Sequence, residues 1–308
     1  MTEQQERPNP IIACLRKISP QVRAMFFGVL LFGLFAQGMG LFNKFSHHDD
    51  VAILFDMGTT VSSGRWMLQI FTWLESVFFG TGNTSLPLYN GMISILILGT
   101  AGGLIVSLFG IQNRVYCALL GCVMVSFPVI TSLFAYMFTS HAYMTGLLMM
   151  TVSAYLICRK TPWWGKMIAI CVGGAGVGIY QAYLPFFGSI LLLYHIIRIT
   201  ESDEPWSVIL GRIGIHLLCV LGVMAVYAAG NRFFLNKYQV TLSGYQGIDQ
   251  MGSMTLQEMF RRLGRAYREF FNPTPDVFGY MYPGTMRDRK STRLNSSHNV
   301  ASRMPSSA

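Results

Sequence analysis

Three polar clusters interrupt a chain that is otherwise dominated by apolar residues. His47-His48-Asp49-Asp50 sets two carboxylates side by side. Adjacent carboxylates repel, and beside a low-dielectric boundary at least one holds its proton to higher pH, which suits a general base near neutrality. The same residues also read as a solvated turn with Asp50 as a helix N-cap. Ser63-Gly64-Arg65-Trp66 places a guanidinium, a planar fork of donors matched to phosphate, next to an indole. That indole can stack on a sugar ring or anchor at the head-group level. Tyr180-Gln181-Ala182-Tyr183 gathers groups that hydrogen-bond sugar hydroxyls or form an interfacial aromatic belt. Asp49 and Asp50 are therefore the candidate catalytic residues, and Arg65, Trp66, Tyr180 and Gln181 the candidate substrate-binding residues. His47 and His48 beside the aspartates offer ligands to a divalent cation, but no spacing supports a metal site. No cofactor is expected.

The elements that position these clusters follow from composition. Hydrophobic residues are 52% of the 308 and charged residues 12%, against roughly 25% charged in soluble domains. Mean hydropathy is +0.43, and several apolar runs approach the roughly 20 residues that cross the hydrocarbon core of a bilayer. Within lipid each run must satisfy its own backbone polar groups, so the runs are helices and the fold class is all-α, a polytopic transmembrane bundle. The net charge of +9 comes mainly from basic residues beside apolar runs. That makes it a topology signal, and no nucleic-acid partner is expected. The six cysteines show no CxxC spacing and no clustering with histidine, and they read as small core residues.

Residues 1–23 form an arm whose Arg7, Arg16, Lys17 and Arg23 precede the first apolar run, which puts the N-terminus in the cytoplasm. Residues 24–229 are expected to hold about seven spans, near 24–42, 88–110, 115–138 with a kink at Pro128, 142–158, two arms of a hairpin within 167–197, and 208–229. Basic residues flank the long run at both ends, which implies two crossings, and the hairpin tip falls at Tyr180 to Pro185, where polar groups and a proline interrupt it. The loop 43–87 emerges on the outer side, and Trp66, Ile70, Trp73, Leu74 and Phe78 recur in it at helical spacing, as in a helix lying in the interface. His141, at another outer turn, reads as a lone structural histidine. Gly173, Gly174, Gly176 and Gly178 form a small-residue packing face.

Residues 230–286 read as an extramembrane segment. Within it, 255–271 puts Leu256, Met259, Phe260, Leu263, Tyr267 and Phe270 on one face and Arg261, Arg262, Arg265 and Arg268 elsewhere, as in a basic helix resting on an anionic membrane surface. Residues 287–308 turn abruptly polar and aperiodic, and read as a foreign tail in place of further native spans, or as a disordered native tail.

The order of these features carries a resemblance. A first span, then Asp49-Asp50, Gly58 and Gly64-Arg65-Trp66 leading into an interfacial helix, and later the Tyr180-Gln181 tip, resembles the bacterial Gtr-type glucosyltransferases that modify O-antigen. The similarity covers most of Phe26 to Ala229. It implies a GT-C-like architecture in the bacterial inner membrane, with acidic catalytic residues in the first outer loop. It also implies an undecaprenyl-phosphate-linked sugar donor, a lipid-linked glycan acceptor and transfer on the periplasmic face. On this resemblance Asp49 or Asp50 deprotonates the acceptor hydroxyl and Arg65 holds the donor phosphate. No nucleotide site is needed, since a lipid phosphate is already a leaving group. The main rival class is a transporter or lipid-linked sugar flippase, which would line a path with ionisable residues inside its spans. A polymerase-like enzyme of the same face, or a scaffold without catalysis, is a second alternative.

Overall fold

The structure, a computed structural model, describes residues 18–43, 60–80, 85–202, 204–243 and 255–271. The chain forms two compact units, 1–248 and 249–308. In the first, nine α-helices follow one another among the described residues: α1 (Pro20–Phe42), α2 (Trp66–Phe79), α3 (Pro87–Phe109), α4 (Arg114–Ser126), α5 (Pro128–Ala135), α6 (Ser140–Cys158), α7 (Trp163–Ile179), α8 (Tyr183–Glu201) and α9 (Trp206–Tyr238). In the second, α10 spans Leu256–Phe271. The described residues contain no strand, so the all-α polytopic bundle expected from composition is what forms.

Among the described residues five helices are long and apolar enough to cross a membrane, counting the 3₁₀ turn Met137–Thr139 with α6, and six if α4 and α5 make one span broken by 47°. Trp163–Ile179 is a shorter apolar helix. The break follows from Pro128, which brings no N–H to the helix ladder. Gln37, the polar residue of α1 beyond Arg23, is buried and answers that break: its Nε2 donates to the Val125 carbonyl and to Thr131 Oγ1, each at 3.2 Å. A carbonyl released in an apolar setting is thereby satisfied inside the protein. The turn between α5 and α6 is held the same way. Buried Asn90 of α3 donates to the Met137 carbonyl at 3.0 Å, and Ser94 and Ser140 share a hydrogen bond of 3.0 Å.

The helices of this unit share one core. α1 packs on α3 and α4, α3 on α6, and α6 on α7 and α8, while α7 packs on α9. Close approach depends on absent side chains. A Cβ at Gly28 would lie 2.6 Å from the Ala118 carbonyl oxygen of α4, and one at Gly173 would lie 2.8 Å from both Ser153 and Val223.

One boundary differs from the sequence reading. α9 does not stop at Ala229 but continues to Tyr238, 33 residues in all, or about 50 Å at 1.5 Å per residue. That exceeds the ~30 Å of hydrocarbon, and the extra turns are held by the site described next.

Candidate functional site

The site begins with a tight turn. Gly64 N–H donates to the Val61 carbonyl at 3.0 Å and Arg65 N–H to the Thr60 carbonyl at 2.9 Å. Gly64 has φ +73°, a conformation that other residues adopt at a cost. A Cβ there would also lie 2.6 Å from Gln181 Nε2 and 2.7 Å from the Tyr227 hydroxyl. Gln181 is the clasp: its Nε2 donates to the Ser63 carbonyl at 2.8 Å and to Tyr227 Oη at 3.1 Å. Residue 181, in the link between α7 and α8, therefore joins the turn before α2 to α9.

Trp66 opens α2 and is only 7% exposed. Its indole fills a slot whose walls are glycines. A Cβ on Gly178 of α7 or Gly230 of α9 would each lie 2.6 Å from the ring, and Phe234 stacks on it with centroids 5.3 Å apart. The indole thus packs between α7 and α9, next to Arg65 in the chain. The same contact explains why α9 runs beyond Ala229. The rest of α2 divides as an interfacial helix does: Leu68 and Thr72 are buried, while Trp73, Leu74 and Phe78 are exposed. Trp66 is therefore not part of the outward stripe to which its spacing assigns it.

Arg65, between clasp and slot, is held in one orientation. Its Nη1 donates to Tyr143 Oη at 3.2 Å, and its guanidinium carbon lies 5.0 Å from the centre of the Tyr180 ring. Tyr180 meets the Tyr143 and Tyr183 rings edge-on, each at 5.4 Å, and Tyr183 Oη donates to the Tyr143 carbonyl at 2.8 Å. Arg65 is half-buried, and its Nε has no hydrogen-bond partner among the described residues. A fixed, partly desolvated guanidinium with donors to spare is suited to a phosphate or carboxylate.

From Tyr180 and Tyr183 an apolar groove of about 410 Å³ runs along α4 and α5, past Phe186, Leu133, Ile130, Phe127 and Val123, toward Met25 and Ile105. Phe127, Val123 and Val129 on its rim are exposed. The cation and the groove thus meet at one aromatic side chain, Tyr180.

The structure brings together four of the six candidates, Arg65, Trp66, Tyr180 and Gln181. Asp49 and Asp50, with His47, His48 and Gly58, lie outside the described residues. Among the described residues no group of three or more His, Cys, Asp or Glu could hold a metal ion. Sequence reasoning missed Tyr143 and Tyr227, which look like ordinary span residues, and Glu75. The Glu75 carboxylate meets His141 Nε2 at 2.7 Å, and both side chains are nearly buried. His141 is thus paired, and the available signal was a single carboxylate inside an apolar amphipathic helix. A second histidine pair, His195 and His216, joins α8 to α9 through a 3.0 Å hydrogen bond.

No curated protein matches the chain, and no solved structure does. The glucosyl transferase GtrII family matches residues 38–288, which include the Gly64 turn, the Tyr180-Gln181 link and the whole groove except its Met25 end. With most of its length matched, the chain belongs to the glucosyl transferase GtrII family, and glucosyl transfer is the activity that membership implies.

Proposed function

We propose that this protein transfers a glucosyl group from a polyprenyl-phosphate-linked donor to O-antigen or a related surface glycan on the periplasmic face of the bacterial inner membrane. The observation that carries this reading is the meeting of Arg65 with the apolar groove at Tyr180. A lipid-phosphate sugar has one anionic group at the junction of a long apolar chain and a polar head. The groove suits the chain, the guanidinium suits the phosphate, and the sugar would lie beyond Arg65.

In the reaction the acceptor hydroxyl attacks the anomeric carbon, and the bond from that carbon to the phosphate oxygen breaks. The electron pair leaves with the polyprenyl phosphate, while the hydroxyl proton passes to the carboxylate of Asp49 or Asp50. Arg65 compensates the charge that develops on the departing phosphate. Such stabilisation is strongest where water is excluded, and half-burial of Arg65 favours it. Gln181 and Trp66 act by fixing the backbone from which Arg65 extends.

The test is mass spectrometry of surface polysaccharide from cells with and without the gene, with an Asp49/Asp50 double substitution and with Asp50→Asn alone. A hexose increment that requires the gene and the aspartates is expected, with Asp50→Asn still inserted in the membrane. A glycan that is unchanged, or indifferent to both aspartates, would replace this reading with transport of a lipid-linked sugar.

A further inference from the structure

At the end of the bundle opposite Arg65, the last turns of α3, α6 and α8 converge on a cavity of about 330 Å³. Its charged lining is Arg159, Arg198 and Glu201, all exposed, against a wall formed by buried Tyr194. Both guanidiniums are pre-positioned. Arg159 Nη2 donates to the Ser107 carbonyl at 3.0 Å and its guanidinium carbon lies 5.0 Å over the Tyr155 ring. Arg198 lies 5.6 Å over the Tyr194 ring. Among the described residues neither arginine is in an ion pair.

The depth of the cavity is marked by exposed Trp163 and Trp164 at the start of α7 and exposed Trp206 at the start of α9. Tryptophans in such a ring sit at the level of lipid head groups. Its charge balance narrows the ligand. Two arginines against one glutamate leave one positive charge, and each of the three converging helix C-termini brings roughly half a negative charge. A pocket so balanced suits a head group that carries both signs rather than a bare anion.

We propose that this cavity binds the head group of an ethanolamine phospholipid, independently of the glucosyl transfer at the other end. The phosphodiester lies between Arg159 and Arg198, where their remaining N–H donors reach it. The ammonium lies against Glu201 and the carbonyls of the last turn of α3.

The experiment uses the full chain in detergent, with native mass spectrometry against dioleoylphosphatidylethanolamine, dioleoylphosphatidylglycerol and the soluble ester glycerophosphoethanolamine. The ethanolamine lipid should be retained about tenfold better than the glycerol lipid, the ratio that one charge-assisted contact confers. Arg159→Ala with Arg198→Ala should lower retention of both lipids. Glu201→Gln, a change at an exposed side chain that leaves the fold intact, should abolish the preference between them. Equal retention of the two lipids by the unaltered chain, or a preference indifferent to Glu201→Gln, overturns the proposal. Displacement of the lipid by equimolar glycerophosphoethanolamine overturns it too, since the site would then serve a soluble phosphate ester.

Discussion

The two ends of the bundle use arginine in opposite ways. At one end Arg65 is half-buried, bonded to Tyr143 and backed by Tyr180, with Trp66 beside it locked in a glycine slot. At the other, Arg159 and Arg198 lie over aromatic rings as well, but both are exposed. A unit charge interacts several times more strongly where the effective dielectric is about 20 than in bulk water. Residue type is thus the same at both ends, and burial is what distinguishes the proposed roles, charge stabilisation at Arg65 and a surface ligand at Arg159 and Arg198.

Breaking the buried end should have the larger effect. Arg65→Ala is expected to lower transfer about 10²–10³-fold, the scale for losing one preorganised electrostatic contact. Arg65→Lys should recover little, because an ammonium cannot replace a planar fork stacked on a ring. The check is donor turnover in membranes, with expression level matched. If Arg65→Lys were fully active, the planar guanidinium would not be what the reaction requires, and the contrast between the ends would be lost.

The next effect is on the slot. Gly230→Val puts side-chain atoms where Trp66 lies, and overpacking of this kind costs about 1–3 kcal/mol. Arg65 should shift with the indole, so both the unfolding temperature and transfer are expected to fall. Gly211→Val, on the same helix where a Cβ meets nothing within 4 Å, should change neither. Thermal unfolding and activity measured on both variants would separate seating from a general intolerance of α9.

How much of this was legible in the sequence depends on the range of the interaction concerned. Spans follow from local composition, and the kink at Pro128 from a missing N–H; about seven spans are expected, and among the described residues five helices are long and apolar enough to cross, six with the bent pair, while Trp163–Ile179 falls short of that length. Arg65 and the Tyr180-Gln181 tip stood out because polar groups near apolar runs are costly. Their junction was not legible, since Gln181 and Ser63 are 118 residues apart. Trp66 fits an interfacial stripe by spacing, and only the slot between Gly178 and Gly230 shows that it is buried. The extension of α9 beyond Ala229 has the same cause, because Phe234 and Gly230 are held by a residue far away in the chain. Asp49 and Asp50 remain a sequence-based assignment, outside the described residues.

A smaller effect is expected from the second attachment of α2. Glu75→Gln removes the charge from the contact with His141 that holds the far part of the helix. Losing one charge-assisted hydrogen bond costs about 1.5–3 kcal/mol. Because Glu75 lies ten residues beyond Arg65, ~15 Å along the helix, stability should fall more than turnover per folded molecule. A loss of turnover as large as that of Arg65→Ala would show Glu75 to be part of the chemistry.

The smallest effect belongs to α10, which extends the comparison to exposed arginines paired with a carboxylate in the second unit. Arg261 and Arg262 hold the Glu258 carboxyl down to about 2, chiefly through hydrogen bonds at 2.7 and 2.9 Å. A depressed carboxyl stabilises the folded form above its ordinary range, near 4.5. That contribution is fully present above pH 4.5, declines as the pH falls from there, and is lost once the pH passes through about 2. Exposed pairs contribute little, so amide exchange within Leu256–Phe271 should quicken only slightly over that window, after correction for the intrinsic pH dependence of exchange. Glu258→Gln should remove even that response. A large, cooperative loss of protection between pH 4.5 and 2 would mean that these exposed arginines behave like Arg65, and burial would no longer explain the difference between the two ends of the bundle.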